Sequence, residues 1–241
     1  MSDSCVELVT FDQLLRRYPQ LEQHRIAPTG GAFCRAERLK GGGAAGTYAM
    51  PRPMAPTGDK HFFGFYLTDR RLLLAEEGGF LRGLAGDLES QTPAQALAEL
   101  FARLLQEDMP TLQKYEKRLT ALEEALMQDQ AQDLDKKLFR IRRELSVFAA
   151  YYEQLDDLFA ALSDETEESD AHASRLFDRL TGRAQRLLSA TELEKEYALQ
   201  LREMHQTQLD MRQNQIMKIL TIVTTVFLSL IHISEPTRPL Y

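Results

Sequence analysis

The stretch that decides the fold is ALQLREMHQTQLDMRQNQIMKILTIVTTVFL, Ala198–Leu228. It holds no proline and no glycine, so nothing in it ends a helix. Its character changes along its length. Leu193, Tyr197, Leu201, Met204 and Met211 mark an apolar stripe, which Gln206, Gln208, Gln213 and Asn214 increasingly interrupt. From Ile219 the chain is apolar on every helical face, the mark of a helix surrounded by non-polar material. A face that turns polar while staying helical points to helices bundled around something wet. Traced upstream, the same helix is expected to begin near Ala173, with Gly182 its one glycine. At ~1.5 Å per residue it forms a rod of roughly 80 Å. Such a rod is too long for the interior of a small domain, so it is expected to pack along partner helices, most simply in a homo-oligomer.

Two more helices precede the rod. Leu112, Tyr115, Leu119, Leu122 and Leu126 recur at steps of three and four, a heptad seam. Leu134, Leu138, Ile141, Leu145, Phe148, Tyr152, Leu155, Phe159 and Leu162 repeat it. Neither buries its seam alone, so an antiparallel hairpin is expected, its first helix restarting at Pro110. The run SDETEESD, Ser163–Asp170, places five carboxylates in eight residues and reads as a solvated loop.

Before Thr92-Pro93, a helix start by its cap chemistry, lie most of the glycines and prolines. CVELVT reads as a strand and FDQLLRRY as a helix. AFCRAERLK and TYAMP read as a hairpin across a loose GGGAAG loop, and HFFGFYL and RLLLAEE as a second hairpin. The fold class is therefore α+β: a small N-terminal α/β domain (1–91), a helical region with a coiled-coil hairpin and acidic loop (92–172), and a stalk helix (173–228) leading into a transmembrane segment.

Net charge is −7, which disfavours nucleic acid as a partner. The two cysteines, Cys5 and Cys34, form no CxxC pair, so neither a disulfide framework nor a zinc site is expected. The N-terminus lacks the basic-then-apolar pattern of a secretory signal. The five histidines show no ligand spacing, and Gly41-Gly42-Gly43 lacks the lysine of a phosphate loop and reads as a turn. No clustered nucleophile, base or ligand set points to an enzyme, and no organic cofactor is implied.

Fifteen residues without a formal charge, Ile219–Ile233, span about 22 Å against a hydrocarbon core of about 30 Å. Arg212 and Lys218 flank them, as on a cytosolic side. The span is then interrupted. LSLIHISEPTR, Leu228–Arg238, resembles the translation of a transposase-type sequencing adapter over eleven consecutive residues. Residues 229–241 are therefore expected to be a non-native tail.

NQIMKILTIVTTVFL resembles the start of the first membrane helix of the CorA family of divalent-cation channels. Asn214, Met217, Lys218, Leu220, Thr221, Ile222 and Phe227 carry the match. It breaks at Ser229, where the family has proline. HFFGFYLTDRRLLLAEEG resembles the family's central strand pair, and the order of segments agrees along nearly the whole chain. The resemblance implies a homopentameric magnesium channel of the bacterial inner membrane, in contact with lipid, its N-terminal bulk cytoplasmic. Five stalk helices would line the pore through Asn214, Met217, Leu220 or Thr221, Thr224 and Leu228. Asn214 would meet the hydrated ion and Met217 and Leu220 would form an apolar constriction. It also implies magnesium as a regulatory ligand on carboxylates, for which Asp87, Asp178, Glu203 and Asp210 are candidates. The family's Gly-Met-Asn mouth and second span do not occur in these residues, so the chain as it stands is not expected to conduct. A zinc-transporting relative of the ZntB type and a soluble coiled-coil adaptor are the competing readings. The adaptor reading leaves MKILTIVTTVFL unexplained.

Overall fold

The computed structural model describes residues 5–234, apart from 28–32, 41, 54, 87, 89, 129 and 131. Five strands form one sheet: β1 (Val6–Val9), β2 (Arg35–Arg38), β3 (Ala44–Met50), β4 (His61–Leu67) and β5 (Leu72–Ala75). Their order is β1-β5-β4-β3-β2, with β1 parallel to β5 and every other pair antiparallel. Both expected hairpins are present. The glycine loop is tighter than expected, because Ala44, Ala45 and Gly46 belong to β3 and the turn closes from Gly43 to Leu39. Gly43 has φ +85°, and a Cβ there would lie 2.3 Å from the Leu67 carbonyl oxygen, so only glycine fits.

The sheet is covered on both faces, which is why its strands read as continuous apolar runs rather than clean alternations. Phe63, Phe65, Leu72 and Leu74 face a large helical core. Tyr66, Leu73 and Ala75 face a smaller layer made by α1 (Phe11–Arg17) and a 3-10 turn (Pro19–His24), through Phe11, Leu14 and Leu21, with Ile26 just after the turn. Gly64 permits that approach: a Cβ on it would meet Ile26 Cγ2 at 2.4 Å.

After the short α2 (Arg82–Ala85) come α3 (Pro93–Leu104), α4 (Asp108–Met127), α5 (Leu134–Thr166) and α6 (Ala171–Ser234). Thr92 caps α3 by accepting from the Gln95 amide, with Pro93 in the first turn as expected. The α4 helix begins two residues before Pro110, which sits in its first turn, where a missing N–H costs no hydrogen bond. All nine seam residues of α5 are buried. The α4 and α5 helices run antiparallel, with Tyr115 against Phe148 at 5.9 Å and Arg118 paired to Glu144 at 3.1 Å. Most of the α5 seam packs on α6 instead, which lies antiparallel to α5 and alongside α3 and α4.

The acidic run is corrected. Ser163 to Thr166 complete α5, and Ser163 and Thr166 are buried. The Glu165 carboxylate accepts from the Gly43 amide at 3.0 Å and pairs with Arg38 at 2.9 Å. Asp170 caps α6, accepting from the amides of His172 and Ala173. Asp164, Glu167 and Glu168 are exposed as the charge density signalled, but Glu165 and Asp170 have partners distant in sequence, Asp170 accepting also from Thr92 and Gln95.

The stripe expected on α6 is also corrected. Leu193 is 65% exposed and Met211 59%. The buried face runs instead through Ala173, Phe177, Leu180, Ala184, Leu187, Thr191, Ala198 and Leu201. Alanine and threonine let helices approach closely but carry little hydropathy, so they hid the stripe. The helix continues past Leu228 to Ser234, and at ~1.5 Å per residue its 64 residues reach about 96 Å.

Candidate ion pathway on the projecting helix

Leu201 is the last buried residue of α6, and every described side chain beyond Gln208 is exposed. Roughly 45 Å of helix therefore leaves the core unpartnered within one chain. Its last part is long and apolar enough to cross a membrane by length and composition, and none of that window is buried.

Two faces can be read from the helical rotation of about 100° per residue. Asn214, Met217, Thr221, Thr224 and Leu228 fall within an arc of about 80°. Leu220 lies roughly 40° outside it. Opposite lie Ile216, Ile219, Val223, Val226 and Leu230, all Ile, Val or Leu and all exposed. One side thus collects the amide and hydroxyls, and the other is purely aliphatic. Among the sequence candidates, Thr221 shares the polar face and Leu220 borders it.

The hydroxyls on this face have a defined polarity. Thr221 donates to the Met217 carbonyl at 2.8 Å and Thr225 to the Thr221 carbonyl at 2.8 Å. Thr224 donates to the Leu220 carbonyl at 3.0 Å. With each proton held by the helix backbone, the oxygen lone pairs remain as outward acceptors. Acceptors without competing donors suit a cation or the water around it.

The regulatory candidates are not brought together within one chain. Asp178 is exposed near the head of α6 and accepts from the Ser163 hydroxyl at 2.6 Å. Glu203 is exposed, and Asp210 accepts from Gln206 at 3.2 Å. Asp178 and Asp210 stand about 48 Å apart along the helix. Asp87 lies outside the described residues. Among the described residues, no three His, Cys, Asp or Glu side chains form a metal-holding group.

A buried polar centre went unread in the sequence. Asp108, in the first turn of α4, is 6% exposed. Its Oδ2 and the Tyr152 hydroxyl are buried, and among the described residues neither makes a hydrogen bond of good geometry, although the two groups interact. Burial pushes the Asp108 carboxyl up to about 7, against the opposing pull of the Tyr152 hydroxyl and the Arg183 guanidinium. Beside it the hydroxyls of Tyr48 and Tyr151 share a buried hydrogen bond at 2.6 Å. A carboxylate in a helix's first turn usually faces water, so nothing local marks it. The adjacent pair Tyr151-Tyr152 on the α5 seam was the available signal, since buried tyrosines need hydroxyl partners.

The family model for the CorA-like Mg2+ transporter protein matches residues 65–231, more than two thirds of the chain. No curated protein matches significantly. Among solved structures, the full-length CmaX protein is similar with a TM-score of 0.71 and 19% identity, over 88% of this chain and 68% of that one. The CorA magnesium transporter from Methanocaldococcus jannaschii aligns with a TM-score of 0.56 and 16% identity, over 95% and 77% of the two chains. The ZntB cytoplasmic domain from Vibrio parahaemolyticus RIMD 2210633 aligns at 0.53 and 12%, over 81% and 84%. At these identities the structural likenesses speak for the fold. With the family match running from the end of β4 through β5 and the helices into the projecting helix, the chain belongs to the CorA-like Mg2+ transporter family, whose members carry ions and are not enzymes.

Proposed function

We propose that this chain is the cytoplasmic domain, stalk and first-span entry of a magnesium channel in the bacterial inner membrane. It assembles as a homopentamer, with five α6 helices around the pore. The observation that carries this reading is the division of α6 from Asn214 to Phe227 into a face of Asn, Met and Thr and an opposite face of Ile216, Ile219, Val223 and Val226. A soluble adaptor has no use for an aliphatic face there. A pore helix needs both, one toward lipid and one toward water.

The roles follow from the chemistry. Magnesium gives up its water reluctantly, so neutral oxygens that hold its hydration shell pass it best. Asn214 supplies an amide oxygen at the cytoplasmic entrance, and Thr221 and Thr224 supply rings of hydroxyl acceptors. Met217, Leu220 and Leu228 form apolar constrictions that close by dewetting. Asp178, Glu203 and Asp210, with Asp87, are the carboxylates by which cytoplasmic magnesium acts on the closed state when copies meet. Residues 1–91, 92–172 and 173–228 serve as sensor, brace and stalk. Residues 229–241 are a tail foreign to the channel.

Limited proteolysis in detergent tests the reading. Millimolar magnesium is expected to slow cleavage of the chain, and Glu203→Gln with Asp210→Asn to weaken that protection. Protection by zinc at far lower concentration, with none by magnesium, would move the chain to zinc transport. No protection by either ion would remove the sensing role.

A further inference from the structure

A groove of about 920 Å³ runs between α3 and α6, away from the projecting end. One wall is cationic in a chain whose net charge is −7. Arg179, Arg183 and Arg186 follow one another at i, i+4 and i+7 and so share one face of α6. The floor is apolar, with Leu176, Leu180 and Ala98.

Among the described residues, the charge of Arg179 and Arg186 is not consumed internally. Arg179 and Arg186 are exposed and join no ion pair among the described residues. Arg183 spends one donor on the Leu105 carbonyl at 2.9 Å. The acid on the groove, Glu99, is already engaged by Arg103 and by the Ser90 hydroxyl, each at 2.6 Å. Among the described residues, Arg179 and Arg186 therefore face the cleft without an ion-pair partner, while Arg183 also acts on the buried Asp108.

We infer that this groove binds a soluble phosphate ester of nucleotide size, with its phosphates on Arg179 and Arg186 and its planar body on the apolar floor. Guanidinium forks match phosphate oxygens in pairs, and the volume lies in the range of small-molecule sites, ~300–1,000 Å³. A lipid headgroup is disfavoured by distance. Arg186 stands about 45 Å along α6 from Ile216, where the exposed aliphatic face begins.

Isothermal titration of the whole chain in detergent tests the assignment, with ADP, ATP and inorganic pyrophosphate as probes in the presence of EDTA. Saturable binding of ADP or ATP is expected, weakened at least tenfold in R179A/R186A and by raised salt. Both arginines are exposed and unpaired among the described residues, so the variant is expected to keep its fold, checked by circular dichroism. Binding undiminished in the variant, or no binding up to millimolar ligand, overturns the site. Pyrophosphate binding as tightly as ADP overturns the nucleotide-size assignment, because the floor would then contribute nothing. If Arg179→Cys cross-links one copy to another, the groove is an interface and the ligand proposal falls.

Discussion

The hydroxyl oxygens of Tyr48 and Tyr151 lie 2.6 Å apart in the core, tying β3 to α5. The Tyr48 ring is fully buried and packs against both Phe63 and Phe101, at 5.1 and 5.0 Å, so the hydroxyl cannot turn to water. Tyr151→Phe leaves one buried hydroxyl unpartnered and is expected to cost about 1–3 kcal/mol. The double variant Y48F/Y151F removes both groups and is expected to cost less than the sum of the singles. Urea unfolding followed by circular dichroism in detergent measures both.

Asp108 makes stability depend on pH in an uncommon direction. Burial raises its carboxyl from 3.8 to about 7 in the folded chain, so the folded state holds a proton that the unfolded state releases. That contribution is full below about pH 4, falls as pH rises toward 7 and is gone above it. At ~1.36 kcal/mol per unit the loss is on the order of 4 kcal/mol at most. Asp108→Asn is expected to flatten this part of the profile, checked by urea midpoints between pH 4 and 8.

Asp170 contributes with the opposite sign. Burial works to raise its carboxyl, but bonds from the Thr92 hydroxyl, the Ala173 amide, Gln95 and the His172 amide outweigh it and hold it below the usual value. Its stabilisation is present above the ordinary aspartate range and is lost as pH falls through the folded value. Asp170→Ala removes the cap of α6 and the tie to α3 together. The expected cost is about 1–2 kcal/mol at pH 7, shrinking in acid.

The two faces of the α6 end are expected to respond differently to substitution. Val223→Lys puts a charge on the aliphatic face, at ~2.5–3.5 kcal/mol on insertion scales. The membrane-integrated fraction after alkaline extraction is expected to fall sharply. Thr225→Ala, on the polar face, is expected to leave it unchanged.

What was legible in the sequence depended on how local the chemistry is. Thr92-Pro93 located the start of α3 to the residue, because a cap and a first-turn proline act within four positions. The α5 seam was likewise complete from Leu134 to Leu162. The partner of that seam was not legible: heptads say that a helix must be covered, and on α6 Ala173, Ala184, Thr191 and Ala198 dilute the signal of Phe177, Leu180, Leu187 and Leu201. Glu165 and Asp170 were read as solvated because Gly43, Arg38, Thr92 and Gln95 come near only in the fold. On the projecting helix the residue types were readable from Asn214 onward. The geometry added that Thr221 shares the polar face and Leu220 borders it, and that Asp178, Glu203 and Asp210 stay apart within one chain.

Native mass spectrometry of the detergent-solubilised chain tests the central claim most directly, since the pathway exists only if copies of α6 surround it. The account predicts one dominant species of five chains, disrupted by Val→Lys or Leu→Lys substitutions on the α6 end. A monomer at every protein concentration would leave that helix without partners and contradict the assignment of a pore to its polar face.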